Sequence, residues 1–587
     1  MCGLLIVYSK KEALDTARCR RALSTMYWRG PDFSYSKTWE NRLFSGQTVL
    51  SITGTPANGV GNYHRSSSGR FELYYNGEIY NHQELKNKFL QDEQKSSSYG
   101  TDTEVLSGLH DHLDAHKIPS LLDGMYAYGV VDFQEHKLHL ARDPQGEKSL
   151  YIYEDHNLIV VASEIRAIHA LVPGISIDSQ ALRDYFHTRH LMLFERTIYQ
   201  GIHEIAPGSL LTLDLKSLQW KKSQPSHLKE WISPEKMEKN LNRNEEDLTD
   251  ELDEIFSRCV KEMIPIDRKY ASVVSGGVDS SLISSYVVKE GIPHLLIAVN
   301  NIGKDLISNN LNGFEKKLGR SIHTLQIGPS SYISEIGRCQ HAAGGPLNAH
   351  SFIPQSQQSA FVNSEGCKVL LGGEGGDELF GGYNCYLDPL LPEGRFSPSF
   401  YTTYQDSPLK FTENNTSRLE AELSKMWQEA QLAYDFIKNP IDRRLMAMTL
   451  CDTSYQLPSV GLRSADLMSM MWSIETRSVF LRKPLVQFAL NLPPLLKVNR
   501  APDINPLMKT KYILKKLFLR HYPKELLFEK QGFAGFPNEA GKYLGDPYDF
   551  MSLEVLKINR ETLPQAMQNR ACSWKLINVE YFLRMLT

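Results

Sequence analysis

The sequence predicts a β-rich α+β domain followed by an α/β domain that becomes mostly helical toward its end. In the first 215 residues, short apolar strands alternate with polar turns and a few helices. After residue 246, apolar strands are followed by long helical patterns, which is typical of a parallel sheet. From about residue 415 onward, helical periodicity dominates. A chain of 587 residues is too long for one hydrophobic core, so more than one domain is expected.

The expected domain boundaries follow from these changes of pattern. The first domain spans 1–215, and examples of its short apolar strands are Leu4–Tyr8, Phe71–Tyr75, Ala127–Asp132, Leu138–Ala141, Leu158–Ala162 and Leu210–Leu213. The segment 216–246 is charged, contains two prolines and lacks apolar periodicity, so it is predicted to be an interdomain linker. The second domain spans 247–587.

Composition narrows the class of protein. The apolar content of 41% and the charged content of 23% are those of an ordinary globular protein, and the net charge of −3 argues against a nucleic-acid partner. The eight cysteines are scattered, without a CxxC pair or a Cys/His cluster, which favours a reducing compartment over a zinc site or a disulfide framework. No segment approaches the ~18 consecutive apolar residues of a membrane span. The sequence therefore predicts a cytoplasmic protein with no membrane partner.

The chain begins MCG, and Cys2 has two interpretations. In the first, Cys2 is only the start of the strand Leu4–Tyr8. In the second, Met1 is removed because the next side chain is small, and Cys2 then carries both a thiol and a free α-amine. An α-amine titrates near about 8 and a thiol near about 8.5, so each can exchange a proton with the other at neutral pH. These residues alone leave both interpretations open.

The segment KYASVVSGGVDSS (269–281) predicts a phosphate-binding loop. The strand Tyr270–Val274 is followed by a tight turn and then by a helix that begins at Asp279. The turn, Ser275–Gly277, leaves backbone N–H groups free to face an anion at the helix N-terminus. Asp279 is placed to hold Mg²⁺ against phosphate oxygens. The alternative is a strand–turn–helix corner in which Asp279 only caps the helix.

A second glycine-rich segment, KVLLGGEGGDELFGGY (368–383), predicts another loop at the end of a strand. Glu374, Asp377 and Glu378 lie among its glycines, and three acids would repel a bare polyphosphate. They therefore indicate Mg²⁺ ligands or proton-transfer groups. The alternative is an acidic turn that is only solvated.

Further motifs connect the two halves of the chain. They are MCG (1–3), RGPD (29–32), YNGEIYNHQEL (75–85), GTDTEVL (100–106), LLDGMYAYGVVD (121–132), ARDPQGEKSLY (141–151), ASEIRAI (162–168), PG (207–208), SGGVDSS (275–281), GEGGDELFGGY (373–383), DLMSMMWSIETR (466–477) and KYILKK (511–516). MCG alone is a weak signal, but MCG with NGE and TDTE at these spacings, ahead of SGGVDSS, is highly specific. With these motifs, most of the chain resembles the glutamine-dependent asparagine synthetases. The resemblance implies an Ntn-hydrolase glutamine amidotransferase domain of class II, an αββα sandwich, followed by an α/β ATP-pyrophosphatase domain.

For the first domain, the resemblance implies hydrolysis of glutamine. Cys2 would attack the side-chain amide of glutamine, with its own α-amine as the base. The Asn76 side chain and the Gly77 N–H would form the oxyanion hole. Glu78 and Asp102 would hold the α-ammonium group of glutamine. Cys2 is thereby predicted to be the nucleophile.

For the second domain, the resemblance implies that ATP and Mg²⁺ serve to adenylate a carboxylate, which ammonia then converts to an amide with release of AMP. The predicted ATP site consists of Ser275, Gly276, Gly277, Asp279, Ser280, Ser281 and Gly373. Asp279 and Asp377 are the candidate Mg²⁺ ligands, and Glu374 and Lys511 are the candidate catalytic acid and lysine. Ammonia is predicted to travel inside the protein, because in bulk water it is mostly protonated. A homodimer is compatible with the resemblance.

Four positions depart from the family pattern. Val49 stands where the family has an arginine that clamps the α-carboxylate of glutamine, and Arg42 is a candidate substitute. Gly372 replaces a serine expected beside phosphate. Leu467 and Arg482 replace an arginine and an aspartate, which suggests that these two changes are linked. Together the departures favour a specialised member of the family.

The identity of the acceptor stays open between two carboxylates. The first is aspartate, and the second is another carboxylate such as a sugar acid or a secondary metabolite, because fold and motifs determine the reaction type better than the acceptor. A non-amidating relative of the β-lactam synthetase or lasso-peptide cyclase type would have no use for Cys2. A transfer-RNA thiolation enzyme also carries SGGxDS, but the chain lacks CxxC pairs and a basic excess. A catalytically silent interaction protein is hard to reconcile with two intact phosphate loops.

Overall fold

The structure is a computed structural model, and it describes residues 2–52, 64–90, 100–188, 194–291, 293–301, 308–387, 408–413, 415–528 and 540–586. Two bodies of different class are visible in these ranges, one built on antiparallel sheets and one on a parallel sheet. They are called the N-terminal half (residues 2–223) and the C-terminal half (residues 234–586) below. No helix in the described ranges is long and apolar enough to cross a membrane.

The N-terminal half contains two antiparallel sheets. Its strands are β1 (Cys2–Ser9), β2 (Phe33–Trp39), β3 (Leu43–Val49), β4 (His64–Arg65), β5 (Phe71–Ile79), β6 (Gly124–Asp132), β7 (Lys137–Arg142), β8 (Tyr151–Glu154), β9 (Leu158–Ala162), β10 (Ile202–Glu204), β11 (Leu210–Asp214) and β12 (Trp220–Ser223). The first sheet has the order β10-β8-β9-β1-β3-β2, and the second has the order β12-β11-β7-β6-β5-β4. The six strands predicted from the sequence are all confirmed, at equal or slightly wider bounds.

The two sheets pack face to face and are covered by helices on their outer faces. These helices are α1 (Thr16–Ser24), α2 (His82–Phe89), α3 (Asp102–His112), α4 (Ile118–Leu121), α5 (Ile165–Leu171) and α6 (Ser179–Thr188). Side chains alternate along β1, so that Leu4 and Ile6 join the core between the sheets, whereas Leu5 and Val7 pack with α1 and α5. Apolar side chains of β5 and β6 pack with α2 and α3 on the other side. The predicted αββα sandwich is confirmed.

The C-terminal half is built on one parallel sheet. Its strands are β13 (Tyr270–Val273), β14 (Leu295–Asn301), β15 (His323–Ile327), β16 (Val369–Gly372) and β17 (Glu475–Ser478), in the order β15-β14-β13-β16-β17. The strand order reverses between β13 and β16, and the loops that follow these two strands leave the sheet at the same edge. Such a switch point is the usual ligand site of an open α/β sheet. The predicted α/β class is confirmed.

The helices of the C-terminal half surround this sheet and extend beyond it. They are α7 (Pro234–Leu241), α8 (Glu245–Met263), α9 (Val278–Glu290), α10 (Ser308–Leu318), α11 (Pro329–Ala343), α12 (Phe352–Ser364), α13 (Gly376–Phe380), α14 (Ser417–Leu432), α15 (Pro440–Cys451), α16 (Arg463–Met470), α17 (Lys483–Leu490), α18 (Pro494–Lys497), α19 (Tyr512–His521), α20 (Met551–Val555), α21 (Leu563–Gln568) and α22 (Arg570–Leu586). A π-helix, Asp452–Leu462, joins α15 to α16. The described helices after residue 415 agree with the predicted change toward helix.

The segment 216–246 has regular structure over part of its length. Strand β12 extends the second antiparallel sheet, and α7 begins after the N-cap Ser233, whose side chain accepts a hydrogen bond from the Lys236 N–H. Asn491 of the C-terminal half accepts from the Ser233 N–H at 2.7 Å and donates to the Trp231 carbonyl at 2.9 Å. The segment is therefore bound to both halves, and the domain limits 1–215 and 247–587 stay a prediction.

The two halves share a hydrophobic core. Side chains of α1, α5 and α6 lie in one apolar cluster with side chains of α11, α12, α16 and α22. Polar contacts cross the same boundary, because Tyr185 donates to the Leu347 carbonyl at 3.1 Å and Lys575 donates to the Phe186 carbonyl at 2.7 Å. A core of this kind holds the two sheets in a defined relative position.

Candidate active site

Cys2 lies at the start of β1, where it is fully buried. In the antiparallel pair β1–β3 it stands opposite Val49. Its backbone nitrogen donates to Oδ1 of Asn76 at 2.9 Å. Met1, whose removal is predicted, lies outside the described residues. The structure therefore places the nitrogen that would become the α-amine of Cys2 directly against the side chain of Asn76.

Asn76 and Gly77 lie together on β5, next to Cys2. Because Oδ1 of Asn76 accepts from the Cys2 nitrogen, the amide group Nδ2 is left as a donor, and it is buried without a hydrogen-bond partner among the described residues. A Cβ on Gly77 would lie 2.1 Å from the Met125 carbonyl oxygen, so the close approach of β5 to β6 requires glycine here. An unpaired buried donor beside a thiol has the composition of an oxyanion hole.

Two carboxylates approach each other behind this donor. The TDTE motif forms a capping box at the start of α3, in which Thr101 and Glu104 satisfy each other's backbone N–H groups, and this fixes Asp102 in the first turn. The Asp102 carboxylate accepts from the Tyr75 hydroxyl at 2.8 Å and from the Ile79 N–H at 3.1 Å. These bonds tie the start of α3 to β5.

Glu78 is the second carboxylate, and its surroundings make its charge costly. Burial and the neighbouring Asp102 charge raise the pKa of Glu78, whereas Arg477 of the C-terminal half, with Nη2 at 3.6 Å from Oε2 of Glu78, lowers it. Two adjacent buried carboxylates are stabilised by an added cation. The pair therefore suits a positively charged ligand group such as an α-ammonium.

The missing arginine at position 49 is not replaced by Arg42. Arg42 donates to the Ser9 and Lys10 carbonyls, and its guanidinium lies over the ring of Tyr8. In the β1–β3 register Tyr8 is opposite Leu43, whereas Cys2 is opposite Val49. At about 3.3 Å per residue, Arg42 is roughly 20 Å from Cys2 along the strand. The interpretation of Arg42 as a substitute was wrong.

The predicted ATP loop lies at the switch point of the parallel sheet. Ser275 and Gly276 follow β13, Gly276 has a positive φ of 78°, and Gly277 is the N-cap of α9. The Ser280 hydroxyl accepts from the Ser275 N–H at 3.0 Å, which closes the turn, and Ser281 is buried in the first turn of α9. The loop after β16 approaches closely, since a Cβ on Gly373 would lie 3.1 Å from Cβ of Asp279.

Lys511 joins the two acidic residues predicted as metal ligands. Its Nζ forms ion pairs with Asp279 and with Asp377, the latter at 2.7 Å. Burial alone would lower the pKa of Lys511, but the two carboxylates raise it above its ordinary value, so the lysine is charged. A Cβ on Gly382 would lie 1.9 Å from Oδ1 of Asp377 and 2.3 Å from Cε of Lys511, so this glycine makes room for the ion pair.

The acidic residues fit Mg²⁺ only together with a substrate. No group of three or more His, Cys, Asp or Glu side chains with the geometry of a metal site occurs within the described ranges. Mg²⁺ is usually held by one or two carboxylates together with substrate phosphate oxygens. Asp279 and Asp377 supply those two carboxylates beside the phosphate loop, so the donor set fits a magnesium–nucleotide complex.

Glu374 lies in the loop after β16 and faces the same site. Its Oε2 is buried without a hydrogen-bond partner among the described residues, and burial, with the nearby Asp279 charge, raises the pKa of the carboxyl group. A Cβ on Gly372 would lie 2.2 Å from this Oε2. The glycine that replaces the expected serine therefore leaves space for the Glu374 carboxyl group.

Strand β17 lies between the residues around Cys2 and the residues around the phosphate loop. Arg477 on β17 lies beside Glu78 and also pairs with Glu475 on the same strand, with Nε to Oε1 at 2.6 Å. Strand β17 pairs in parallel with β16, which ends at Gly372, two residues before Glu374. The motif DLMSMMWSIETR contains Glu475 and Arg477, but no role is predicted for either from the sequence. What distinguishes these two residues is that they are charged and yet lie within a short strand that is buried along its whole length.

The departures at 467 and 482 lie in different surroundings. Leu467 belongs to the apolar cluster shared by the halves, while its neighbour Asp466 accepts from Arg29 at 2.9 Å and from Lys148 at 3.0 Å. Arg482 pairs instead with Asp123. No contact joins positions 467 and 482 among the described residues, and the suggested link between the two changes stays a prediction.

Comparison with known proteins gives matches to both halves. A family model described as a glutamine amidotransferase domain matches residues 1–224, and one described as asparagine synthase matches residues 251–551. The chain is 27% identical over 581 residues to glutamine-hydrolysing asparagine synthetase 1 of Bacillus subtilis, covering 92% of this chain and 87% of that protein. It is 23% identical over 565 residues to amidase chyE of Penicillium rubens, covering 84% of this chain and 80% of that protein.

Among solved structures, a glutamine phosphoribosylpyrophosphate amidotransferase from B. subtilis is 16% identical, with 55% of this chain and 81% of that chain covered. The TM-score is 0.29, which is too low to support a statement about fold.

Proposed function

The chain belongs to the glutamine-dependent asparagine synthetase family, and we propose that it converts aspartate to asparagine with ammonia released from glutamine, in a reaction driven by ATP. The family makes the chain a glutamine-hydrolysing amidotransferase and a carbon–nitrogen ligase. One observation carries the proposal, namely that β17 lies between the two sites. Arg477 on β17 lies beside Glu78 of β5, the strand whose Asn76 bonds the Cys2 nitrogen, while β16, paired to β17, leads to Glu374.

The first half-reaction is proposed at Cys2. The thiolate attacks the side-chain carbonyl carbon of glutamine, and the α-amine accepts the thiol proton. Asn76 supports this role in two ways, because its Oδ1 orients the Cys2 nitrogen while its unpaired Nδ2 is available to the oxyanion, with the Gly77 N–H as a second donor. Ammonia leaves, and water hydrolyses the resulting thioester to release glutamate.

Glu78 and Asp102 are proposed to hold the α-ammonium group of glutamine. Their mutual repulsion and their burial favour a bound cation, as the raised pKa of Glu78 indicates. Arg477 already neutralises part of this charge from the side of the C-terminal half. The α-ammonium group of bound glutamine would therefore balance the carboxylate charge that Arg477 leaves over.

The second half-reaction is proposed at the switch point of the parallel sheet. The Gly276 N–H and the N-terminus of α9, which Gly277 caps, would hold the triphosphate, whereas the Ser275 N–H, predicted to be free, is bonded to the Ser280 hydroxyl. Asp279 and Asp377 would hold Mg²⁺, whose charge would offset that of the phosphates. The acceptor carboxylate attacks the α-phosphorus atom, and pyrophosphate leaves.

Lys511 and Glu374 are proposed to stabilise charge and to accept a proton in this second half-reaction. Lys511 is kept charged by its two carboxylates and would stabilise negative charge that develops on the phosphoryl oxygens. Ammonia then attacks the acyl adenylate and AMP leaves. Glu374, whose pKa is raised by burial and by the Asp279 charge, would accept a proton from the attacking ammonia.

The test measures AMP and pyrophosphate formation from ATP and Mg²⁺ with ammonium chloride, in the presence and absence of L-aspartate. Ammonium bypasses the glutamine site, so aspartate-dependent AMP together with asparagine would support the proposal. Cys2→Ala should then abolish glutamine-dependent turnover and leave ammonia-dependent turnover intact. Equal loss of both activities would refute the assignment of two sites.

A second candidate is amidation of a different carboxylate in a specialised pathway. The similarity to an amidase over most of both chains favours keeping this alternative. The same assay distinguishes the two, since AMP formation with a sugar acid or another carboxylate, and none with aspartate, would support the second candidate and refute the first.

A further inference from the structure

Asp123 is fixed to the turn that follows the glutamine site. It immediately precedes β6, its carbonyl accepts from the Tyr80 N–H at 2.9 Å, and its own N–H donates to the Asn81 side chain at 3.0 Å. Tyr80 and Asn81 directly follow β5, the strand that carries Asn76, Gly77 and Glu78. These two hydrogen bonds tie the position of Asp123 to the end of β5.

Arg482 of the C-terminal half holds this carboxylate from the other side. Its Nε and Nη2 donate to Oδ2 of Asp123 at 3.1 and 2.8 Å, and the Lys483 N–H donates to Oδ1 at 2.9 Å. The side chains of Arg482 and Asp123 are only 2% and 8% exposed. Burial alone would lower the pKa of Arg482, but Asp123 raises it, with a smaller contribution from Glu262, so the pair is charged.

Tyr80 gives Arg482 a second contact with the same turn. The Arg482 guanidinium lies 4.5 Å from the centre of the Tyr80 ring, and the Arg477 guanidinium lies 5.7 Å from it. Arg477 belongs to β17 and Arg482 follows that strand after a single 3₁₀ turn. One short segment of the C-terminal half therefore contacts both Glu78 and the turn after it.

The motif pattern that the sequence resembles has an aspartate at position 482. An aspartate at this position would stand beside the buried Asp123 carboxylate and repel it.

We propose that Arg482 is a positioning residue that, through Asp123, holds the end of β5 against β17 so that ammonia released at Cys2 reaches the acyl adenylate. This inference rests on the proposed function. Arg482 contacts no reacting group, and its effect is on the fraction of released ammonia that is used. A misplacement of about 1 Å can change a rate by about 10²-fold, so loss of this contact should be visible in that fraction.

The experiment compares the ratio of glutamate to AMP formed with glutamine, ATP and aspartate. The wild-type ratio should be close to unity, whereas Arg482→Gln should raise it by about tenfold. Ammonia-dependent AMP formation should stay within about twofold of wild type, because the adenylation site is untouched. Arg482→Lys, which keeps the charge but loses the two-pronged contact, should give an intermediate ratio.

The matched control is Arg70→Gln. Arg70 also forms a two-pronged pair with an aspartate, Asp132, at 2.9 and 2.6 Å, but both partners lie in the N-terminal half. Its ratio should equal that of wild type.

The possible failures are distinguishable. If wild type forms no aspartate-dependent AMP even with ammonium, the proposed function is refuted and the inference falls with it. If wild type is active but Arg482→Gln keeps the wild-type ratio, the role of Arg482 alone is refuted. An equal rise in Arg70→Gln, or a proportional loss of both activities in Arg482→Gln, would also overturn the inference, because either result reports general destabilisation.

Discussion

Asn76→Asp tests the assignment of the oxyanion hole with a minimal change. The aspartate keeps an oxygen at the position of Oδ1, so the contact with the Cys2 nitrogen is retained. At the position of Nδ2, a buried donor without a partner becomes an oxygen. The variant therefore removes one hydrogen-bond donor from the site and changes the side-chain volume very little.

The magnitude of the effect follows from the role of that donor. Removing one donor from an oxyanion hole lowers kcat by about 10²–10³, which corresponds to about 2.7–4 kcal/mol of transition-state stabilisation. Because Nδ2 of Asn76 is buried, water cannot easily replace it, and a negative charge near the developing oxyanion adds repulsion. We expect the kcat for glutamine hydrolysis to fall by at least about 10²-fold.

Glutamate formation at saturating glutamine measures this effect, and ammonia-dependent AMP formation is the internal control, which should be unchanged. Asn157→Asp is the matched variant, since it makes the same chemical change on an exposed turn of the same half. A loss of less than about threefold in Asn76→Asp, or an equal loss in both variants, would show that Asn76 does not stabilise the oxyanion.

Three further predictions concern other buried charges. Lys511→Met should lower pyrophosphate release by about 10²-fold or more while glutamine hydrolysis continues, and equal loss of both rates would contradict the assignment. Asp466→Asn leaves Arg29 and Lys148 without their shared buried charge, so the free energy of unfolding should fall by about 3 kcal/mol, and an unchanged urea midpoint would contradict this. Burial lowers the pKa of His110 to about 3, so below about pH 6.5 the unfolded chain binds a proton that the folded chain excludes. Stability should therefore decrease by about 1.4 kcal/mol per pH unit between about pH 6.5 and 3, and His110→Leu should reduce the loss of Tm between about pH 7 and 5. An equal loss of Tm in wild type and variant would refute this role of His110.

The strands of the core could be predicted from the sequence because burial imposes a readable pattern on them. Leu158–Ala162 has the predicted bounds, since a strand buried on both faces is a continuous apolar run that ends at polar turns. Strand β12 lay within the predicted linker because its sequence, WKKS, lacks such a pattern. As an edge strand it pairs on one side only, and lysines are common at exposed edges.

The candidate site could be predicted only where its residues belong to local motifs. The NGE and SGG segments carry their own backbone geometry, so the residues could be named without the fold. Arg29 and Asp466 are 437 positions apart, and no local pattern pairs them. Arg42 is an error of the opposite kind. It is close to Val49 in sequence, but the antiparallel register places it far from Cys2.

Three arginines between the halves share one arrangement. Arg29, Arg477 and Arg482 are each buried against a carboxylate of the opposite half. Desolvation offsets much of the attraction in such pairs, and replacing a buried ion pair with apolar side chains of similar volume is often neutral or stabilising. An ion pair differs from an apolar contact in being directional, which defines the register of the two elements it joins.

Each of these arginines also contacts an element of the proposed glutamine site. Arg29 donates to the Cys2 carbonyl, Arg477 lies beside Glu78, and Arg482 holds the turn after β5. Neutral ammonia carries no charge that could direct it from one site to the other. In the proposed reaction its transfer would depend on how accurately the two halves are aligned, and we infer that alignment is the reason for burying these charges.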